Sequence, residues 1–215
     1  MSHIRPYVPR DRDDVFGICH KTGFFGEDAS FYFKDAVLFG TIFVSYYIDN
    51  EPENAFVAVD DDHAVGYIVG TDDTLSQKES FDRAVMPDII RRLFSSTIFR
   101  HPKDALFLLG LRGYEHFEEE LYVENLLDDY PAHLHINLLA GYQRKGLGER
   151  LMLAFEDRMK QKRVPGIHLV TSTLNTKAVP FYDKMGYRLI KKLPNFLWDK
   201  KSPPGTQSLV YAKTL

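Results

Sequence analysis

Apolar positions change period several times along this chain, and the sharpest change falls between Leu134 and Glu149. Leu134, Ile136 and Leu138 alternate with His133, His135 and Asn137, the two-residue period of a strand with one buried face. Past Ala140-Gly141-Tyr142 the period lengthens. Leu147, Leu151, Met152, Phe155 and Met159 then share one face of a helix. A strand, a turn bearing Gly146 and Gly148, and a helix N-terminus therefore follow one another directly.

The remaining pattern predicts an alternation of strands and helices. Ile4 to Val8 reads as a first strand stopped by Pro9, and Asp11 to His20 as a helix with acidic residues in its first turn. Phe24 to Tyr47 is rich in aromatics expected to face a core. Ala55–Val59 and Ala64–Val69 form a hairpin across Asp60-Asp61-Asp62-His63, read as a polar loop tip rather than a metal site. Residues 71–129 predict a helical insert on the substrate side, with one helix over 81–99. Glu115, Glu118, Glu119, Glu120, Glu124, Asp128 and Asp129 make a dense acidic run at its end. That run reads equally as a solvated helix face or as an attractor for a cationic substrate at the mouth of a site. Ile167–Thr171 is a strand. A helix beginning near Thr176 or Lys177 carries Ala178, Phe181, Tyr182 and Met185 inward and stops at Gly186. Strands over 187–190 and 208–212 follow, with 191–205 as loop.

Composition narrows the class. The 215 residues, 44% hydrophobic and 27% charged, suit one globular domain over 1–215. A net charge of −3 gives no basic field for nucleic acid. The single cysteine, Cys19, excludes an internal disulfide and reads as a small buried hydrophobe. With no signal-peptide core and no membrane-length apolar run, the expectation is a cytoplasmic protein that binds neither membrane nor metal.

The candidate chemistry begins at the glycine turn. The first N–H groups of a helix have no partner within the helix, and the helix dipole favours an anion there. Gly146 and Gly148 remove β-carbons that would keep a phosphate from that backbone, and Arg144 and Lys145 add positive charge. The string Gln143-x-x-Gly146-x-Gly148 is neither a P-loop nor a dinucleotide fingerprint. A phosphorylated ligand is expected, of a kind these residues alone leave open.

Together with Asn175…Ala178…Phe181-Tyr182…Gly186-Tyr187, that turn resembles the GCN5-related N-acetyltransferase (GNAT) superfamily. The phrase DYPAHLHI, 129–136, is most similar to acetyltransferase-like domains found with O-GlcNAc hydrolases and their free-standing microbial relatives. The resemblance implies an α/β (α+β) fold with a mixed, mostly antiparallel sheet, splayed at an acyl-CoA site, and helices on both faces. It implies acetyl-CoA as co-substrate and a primary amine as acceptor, an amino sugar being favoured. A protein lysine or a non-catalytic sensing role stays open, as does a homodimer. Carried onto this sequence, Leu138 and Leu139 would align the pantetheine, and Gln143, Arg144, Lys145, Gly146, Leu147 and Gly148 would hold the pyrophosphate. Asn175 would hydrogen-bond the cofactor or hold the strand end, and Tyr182 would protonate the departing thiolate. An alkylammonium must lose a proton before it can attack, and histidine titrates in the useful range. His135 and His133 are the first candidates for that base; Asp129 and Asp128, acting through water, are the alternatives.

Overall fold

The computed structural model describes residues 2–110, 121, 125–195, 198 and 201–215. Seven strands form one sheet: β1 (His3–Pro6), β2 (Phe56–Asp60), β3 (His63–Thr71), β4 (Ala132–Leu138), β5 (Gly166–Ser172), β6 (Arg188–Pro194) and β7 (Gln207–Thr214), in the order β1-β2-β3-β4-β5-β7-β6. The helices are α1 (Arg12–Thr22), α2 (Ala36–Phe43), α3 (Ser45–Asn50), α4 (Thr74–Ala84), α5 (Met86–Arg92), α6 (Ile98–Arg100), α7 (Pro102–Gly110), α8 (Leu126–Asp129), α9 (Leu147–Gln161) and α10 (Ala178–Lys184). Strand pairing is antiparallel throughout except between β4 and β5, which gives the mixed sheet that the resemblance implies.

That one parallel contact shapes the molecule. β4 and β5 pair at Ala132–Ile167 and His133–His168, and then part. β4 continues to Leu138 against β3, and β5 to Ser172 against β7, so the sheet opens as a V between them.

Period-two alternation sends neighbouring residues of β2, β3 and β4 into two separate cores. On one face Val57, Val59, Tyr67 and Val69 pack with Val15, Ile18, Leu38, Phe39 and Tyr47 from α1, α2 and α3. On the other, Ala58, Ile68 and Leu134 pack under α9, whose Leu151, Met152, Phe155 and Met159 are fully buried. Each such side chain contributes about 1.5–3 kcal/mol by leaving water. Close approach of α9 depends on Gly70 in β3. A β-carbon there would lie 2.2 Å from the His133 carbonyl oxygen and 2.7 Å from Phe155 Cζ.

Several expectations change. The helix expected over 81–99 breaks at Val85, because Pro87 lacks an N–H and belongs in the first turn of α5. Its distal part is a π-turn, Leu93–Thr97. β6 runs on to Pro194 where loop was expected from Lys191, since β7 supplies partners as far as Gln207 after a bulge near Ile190. Not every residue of the aromatic segment is core: Phe33, Phe39, Tyr46 and Tyr47 are buried, but Phe31 is 79% exposed. Asp61 and Asp62 both adopt positive φ and close a two-residue hairpin between β2 and β3. Cys19 is buried. No helix among the described residues is long and apolar enough to cross a membrane. Glu115, Glu118, Glu119, Glu120 and Glu124 lie outside the described residues.

Candidate active site

The V is lined first by the turn between β4 and α9. Gly146 is the N-cap of α9 in a left-handed conformation, φ 78°, and no side chain caps the helix. The helical ladder begins with Arg150 N–H to the Gly146 carbonyl, 3.1 Å, so the N–H groups of Leu147, Gly148 and Glu149 have no partner within the helix. A β-carbon on Gly146 would meet nothing within 4 Å, which places this backbone against open space. Arg144 also takes positive φ, 59°, and Lys145 Nζ sits 5.0 Å from the centre of the Tyr142 ring. Gly148 is less constrained: a β-carbon there would make ordinary contacts, 3.4 Å from Phe181 and 3.6 Å from Leu138, where the end of β4, the first turn of α9 and α10 meet.

Leu138 and Leu139 divide the roles expected of them. The Leu139 N–H donates to the Val65 carbonyl of β3 at 3.0 Å and is taken. The Leu138 carbonyl belongs to the same trans peptide and points the opposite way, into the V, where Gln143 Nε2 donates to it at 3.2 Å. These donors and this acceptor fit a phosphorylated, amide-bearing cofactor such as acetyl-CoA lying along the unpaired edge of β4.

The orientation of the two histidines, which strand counting leaves open, follows from their partners. His133, His135 and Asn137 face α3 and α4, opposite α9. Asn137 Nδ2 donates to Tyr67 Oη at 2.7 Å. His133 Nε2 lies 2.7 Å from Tyr47 Oη, and its Nδ1 lies 2.8 Å from Thr74 Oγ1. His135 Nε2 lies 3.2 Å from the same Tyr47 oxygen. Burial, reinforced by His135 and His168, holds the His133 pKa well below the histidine range. His135 is reached by solvent, yet protein surrounds it closely enough that desolvation, with His168 adding, lowers its pKa to about 4. Both histidines are neutral at pH 7 and able to accept a proton.

Asp129 and Asp128 do not join them. They are exposed on α8, before the first residue of β4, at its paired end. The V opens beyond His133, and at about 3.3 Å per residue the tip of β4 lies roughly 20 Å from its start. The described part of the acidic run is therefore remote from the mouth of the V.

Tyr182 lies on α10, on the α9 side of the V. Its ring packs against Phe181, Tyr187 and Tyr211, and the residue is 7% exposed. Its hydroxyl has no hydrogen-bond partner among the described residues. Burial raises its pKa, so it stays a phenol through the neutral range. Asn175 sits between β5 and α10, where its carbonyl accepts from Ala178 N–H at 3.0 Å. Its side chain faces Gly26, whose β-carbon would come within 3.3 Å of it. Phe24, Phe25 and Glu27 form with Leu174, Asn175 and Lys177 the walls of a cavity of about 140 Å³, and Lys177 Nζ reaches Glu27 at 2.8 Å.

Tyr47 and Thr74 were not legible as site residues. Tyr47 is one aromatic in a run of aromatics, and 86 residues separate it from His133. Among the described residues, no group of three His, Cys, Asp or Glu side chains could hold a metal ion.

Residues 24–187 match the acetyltransferase (GNAT) family. The crystal structure of SsHAT is similar at 32% identity and a TM-score of 0.77, over 99% of this chain and 98% of that one. Ard1 from Thermoplasma volcanium superposes with a TM-score of 0.59 at 17% identity, over 100% and 97% of the two chains. A ribosomal-protein-alanine N-acetyltransferase from Brucella melitensis gives 0.58 at 11%, over 99% of each. At such identities the last two show the fold alone.

Proposed function

The chain belongs to the acetyltransferase (GNAT) family of acetyl-CoA-dependent transferases, and we propose that it carries the acetyl group to the primary amine of a small molecule. The observation behind a small acceptor is how three segments pack together on the side of the sheet that His135 shares. Trp198, from the β6–β7 connection, donates through Nε1 to the Gly23 carbonyl at 3.0 Å. Its ring contacts Phe24, with centroids 5.5 Å apart, and Phe107 of the insert, at 4.8 Å. The insert is pinned in turn. Asp35, buried, accepts from Arg92 and Thr97, and Asp104 accepts from the backbone N–H groups of Lys34 and Asp35. An extended peptide needs an open groove, whereas three segments meeting over one face suit a compact ligand. Within that class we favour an amino sugar of the glucosamine type, on the resemblance carried by residues 129–136.

In this reading acetyl-CoA lies in the V. Its pyrophosphate meets the N–H groups and cations of residues 143–148, and its pantetheine meets the Leu138 edge of β4. Acceptor and cofactor enter from opposite faces, so His135 on one side takes the ammonium proton and Tyr182 on the other protonates the leaving thiolate. Asn175 steadies the loop beside the V.

A thiol-release assay with acetyl-CoA tests this, run against glucosamine, polyamines and lysine-bearing peptides. Turnover with a small amine and little with peptides is expected. Tight acetyl-CoA binding with no thiol released by any amine would sink the reading, and preference for peptides would move the acceptor to a protein.

A further inference from the structure

The chain of hydrogen bonds behind His135 fixes which nitrogen of that ring is free. Its first link is the Thr74 hydroxyl, which donates to the Pro131 carbonyl at 2.6 Å. A carbonyl only accepts, and threonine has one hydroxyl proton, so Thr74 Oγ1 is left to accept from His133 Nδ1–H at 2.8 Å. Neutral His133 then carries its lone pair on Nε2, which receives the Tyr47 O–H at 2.7 Å. With its proton committed, the Tyr47 oxygen accepts from His135 Nε2–H at 3.2 Å. Neutral His135 is left with an unprotonated Nδ1, which has no partner among the described residues.

We infer that Tyr47, backed by His133 and Thr74, is a positioning residue that locks His135 in the Nε2–H tautomer and presents Nδ1 as the proton acceptor. The inference rests on the transfer reading for its chemical use and on geometry alone for the tautomer. Distances support one directed chain across three elements: α4 supplies Thr74, β4 the histidines and α3 the tyrosine. The ring arrangement agrees. Tyr47 meets His133 edge-on at 90°, with centroids 5.6 Å apart, and His135 at 57° and 5.3 Å, so one hydroxyl spans both.

The proton balance follows. The acceptor ammonium gives its first proton to His135 Nδ1, which passes it to solvent. The amine nitrogen bonds to the thioester carbon, the C–S bond breaks, and the departing thiolate takes the Tyr182 phenol proton to leave as CoA thiol. The second proton, lost from the nitrogen as the amide forms, passes through water to the Tyr182 phenolate and restores the phenol. Losing Tyr47 would free His135 to rotate or exchange tautomers, so that Nδ1 is protonated in part of the population and cannot accept.

The experiment pairs two readouts on the full chain. In protein labelled with 15N-histidine, the inference expects His135 with bare Nδ1 and protonated Nε2, and His133 with the opposite tautomer. Tyr47→Phe, checked for folding by its thermal midpoint and for unaltered acetyl-CoA affinity, should mix the His135 tautomers. It should also lower kcat roughly 10- to 100-fold while KM for the amine changes little. Thr74→Val should scramble His133 in the same way, and Thr74→Ser should restore it. A wild-type His135 protonated at Nδ1, or a folded Tyr47→Phe protein with wild-type tautomers and kcat, overturns the inference. If Tyr47→Phe does not fold, Thr74→Val against Thr74→Ser decides on the same readouts. Failure of the transfer reading looks different: no amine turns over in the wild-type protein while the nitrogen pattern stands.

Discussion

His133 and His168 face each other in the last pair that β4 and β5 make, with ring centroids 5.7 Å apart. One residue later the strands diverge. The apex of the V is therefore a pair of imidazoles, a half-buried His133 bonded to Tyr47 and Thr74 and a buried His168 bonded to the Tyr130 carbonyl at 2.7 Å.

This pair predicts acid sensitivity. Burial lowers the His168 pKa from the ordinary 6.5 to about 4, and holds that of His133 well below 6.5. Between pH 6.5 and 4 the unfolded chain binds protons that the folded chain refuses, so stability is complete above pH 6.5 and declines as pH falls. For His168, which is 1% exposed, the gap corresponds to about 3 kcal/mol below both values. Urea midpoints at pH 7.5, 6 and 5 should fall in that order; a flat series would mean that the apex histidines charge freely in the folded protein.

Tyr182→Phe should leave acetyl-CoA affinity nearly intact, because the ring and its packing against Tyr211 persist. Turnover should drop by about 100-fold or more if the hydroxyl donates to sulfur. Steady-state kinetics beside equilibrium acetyl-CoA binding separates the two effects. Unchanged turnover removes Tyr182 from the chemistry.

Gly146 and Gly148 should respond differently to alanine. At Gly146, φ 78° strains any other residue by about 1–2 kcal/mol although the space is open. Relief of that strain reshapes the turn, so Gly146→Ala should weaken acetyl-CoA binding and lower the thermal midpoint. At Gly148 the new methyl would make ordinary contacts of 3.4 and 3.6 Å, and the fold should hold. Calorimetric titration with acetyl-CoA and thermal melts compare them; equal losses at both positions would contradict this division.

Gly70→Ala is expected to be severe. A methyl 2.2 Å from the His133 carbonyl oxygen and 2.7 Å from Phe155 Cζ must push α9 off the sheet or bend β4. Overpacking of this kind costs about 1–3 kcal/mol or more. A urea midpoint within error of wild type would show that this contact yields easily.

Residues 134–149 carried their structure openly. Alternation over Leu134–Leu138, the helical stripe of Leu147, Leu151, Met152, Phe155 and Met159, and the glycines between them are local signals, and β4, the turn and α9 form where those signals fall. The stop at Gly186, φ 81°, and the aspartate hairpin are equally local, because each needs only the backbone preference of one or two residues. The family was legible through the resemblance those local strings carry, and the mixed sheet and the cofactor were legible as what that resemblance implies. Contacts between distant segments were not. That β4 and β5 pair twice and part, that His133 and His135 face α3 rather than α9, that Tyr47 joins them, and that Trp198 closes over Gly23 all depend on segments far apart in sequence. Asp128 and Asp129 show the same limit from the other side: adjacent to β4 along the chain, they end at the wrong end of it. A strand's period says which residues share a face, but only its neighbours in three dimensions decide what that face meets.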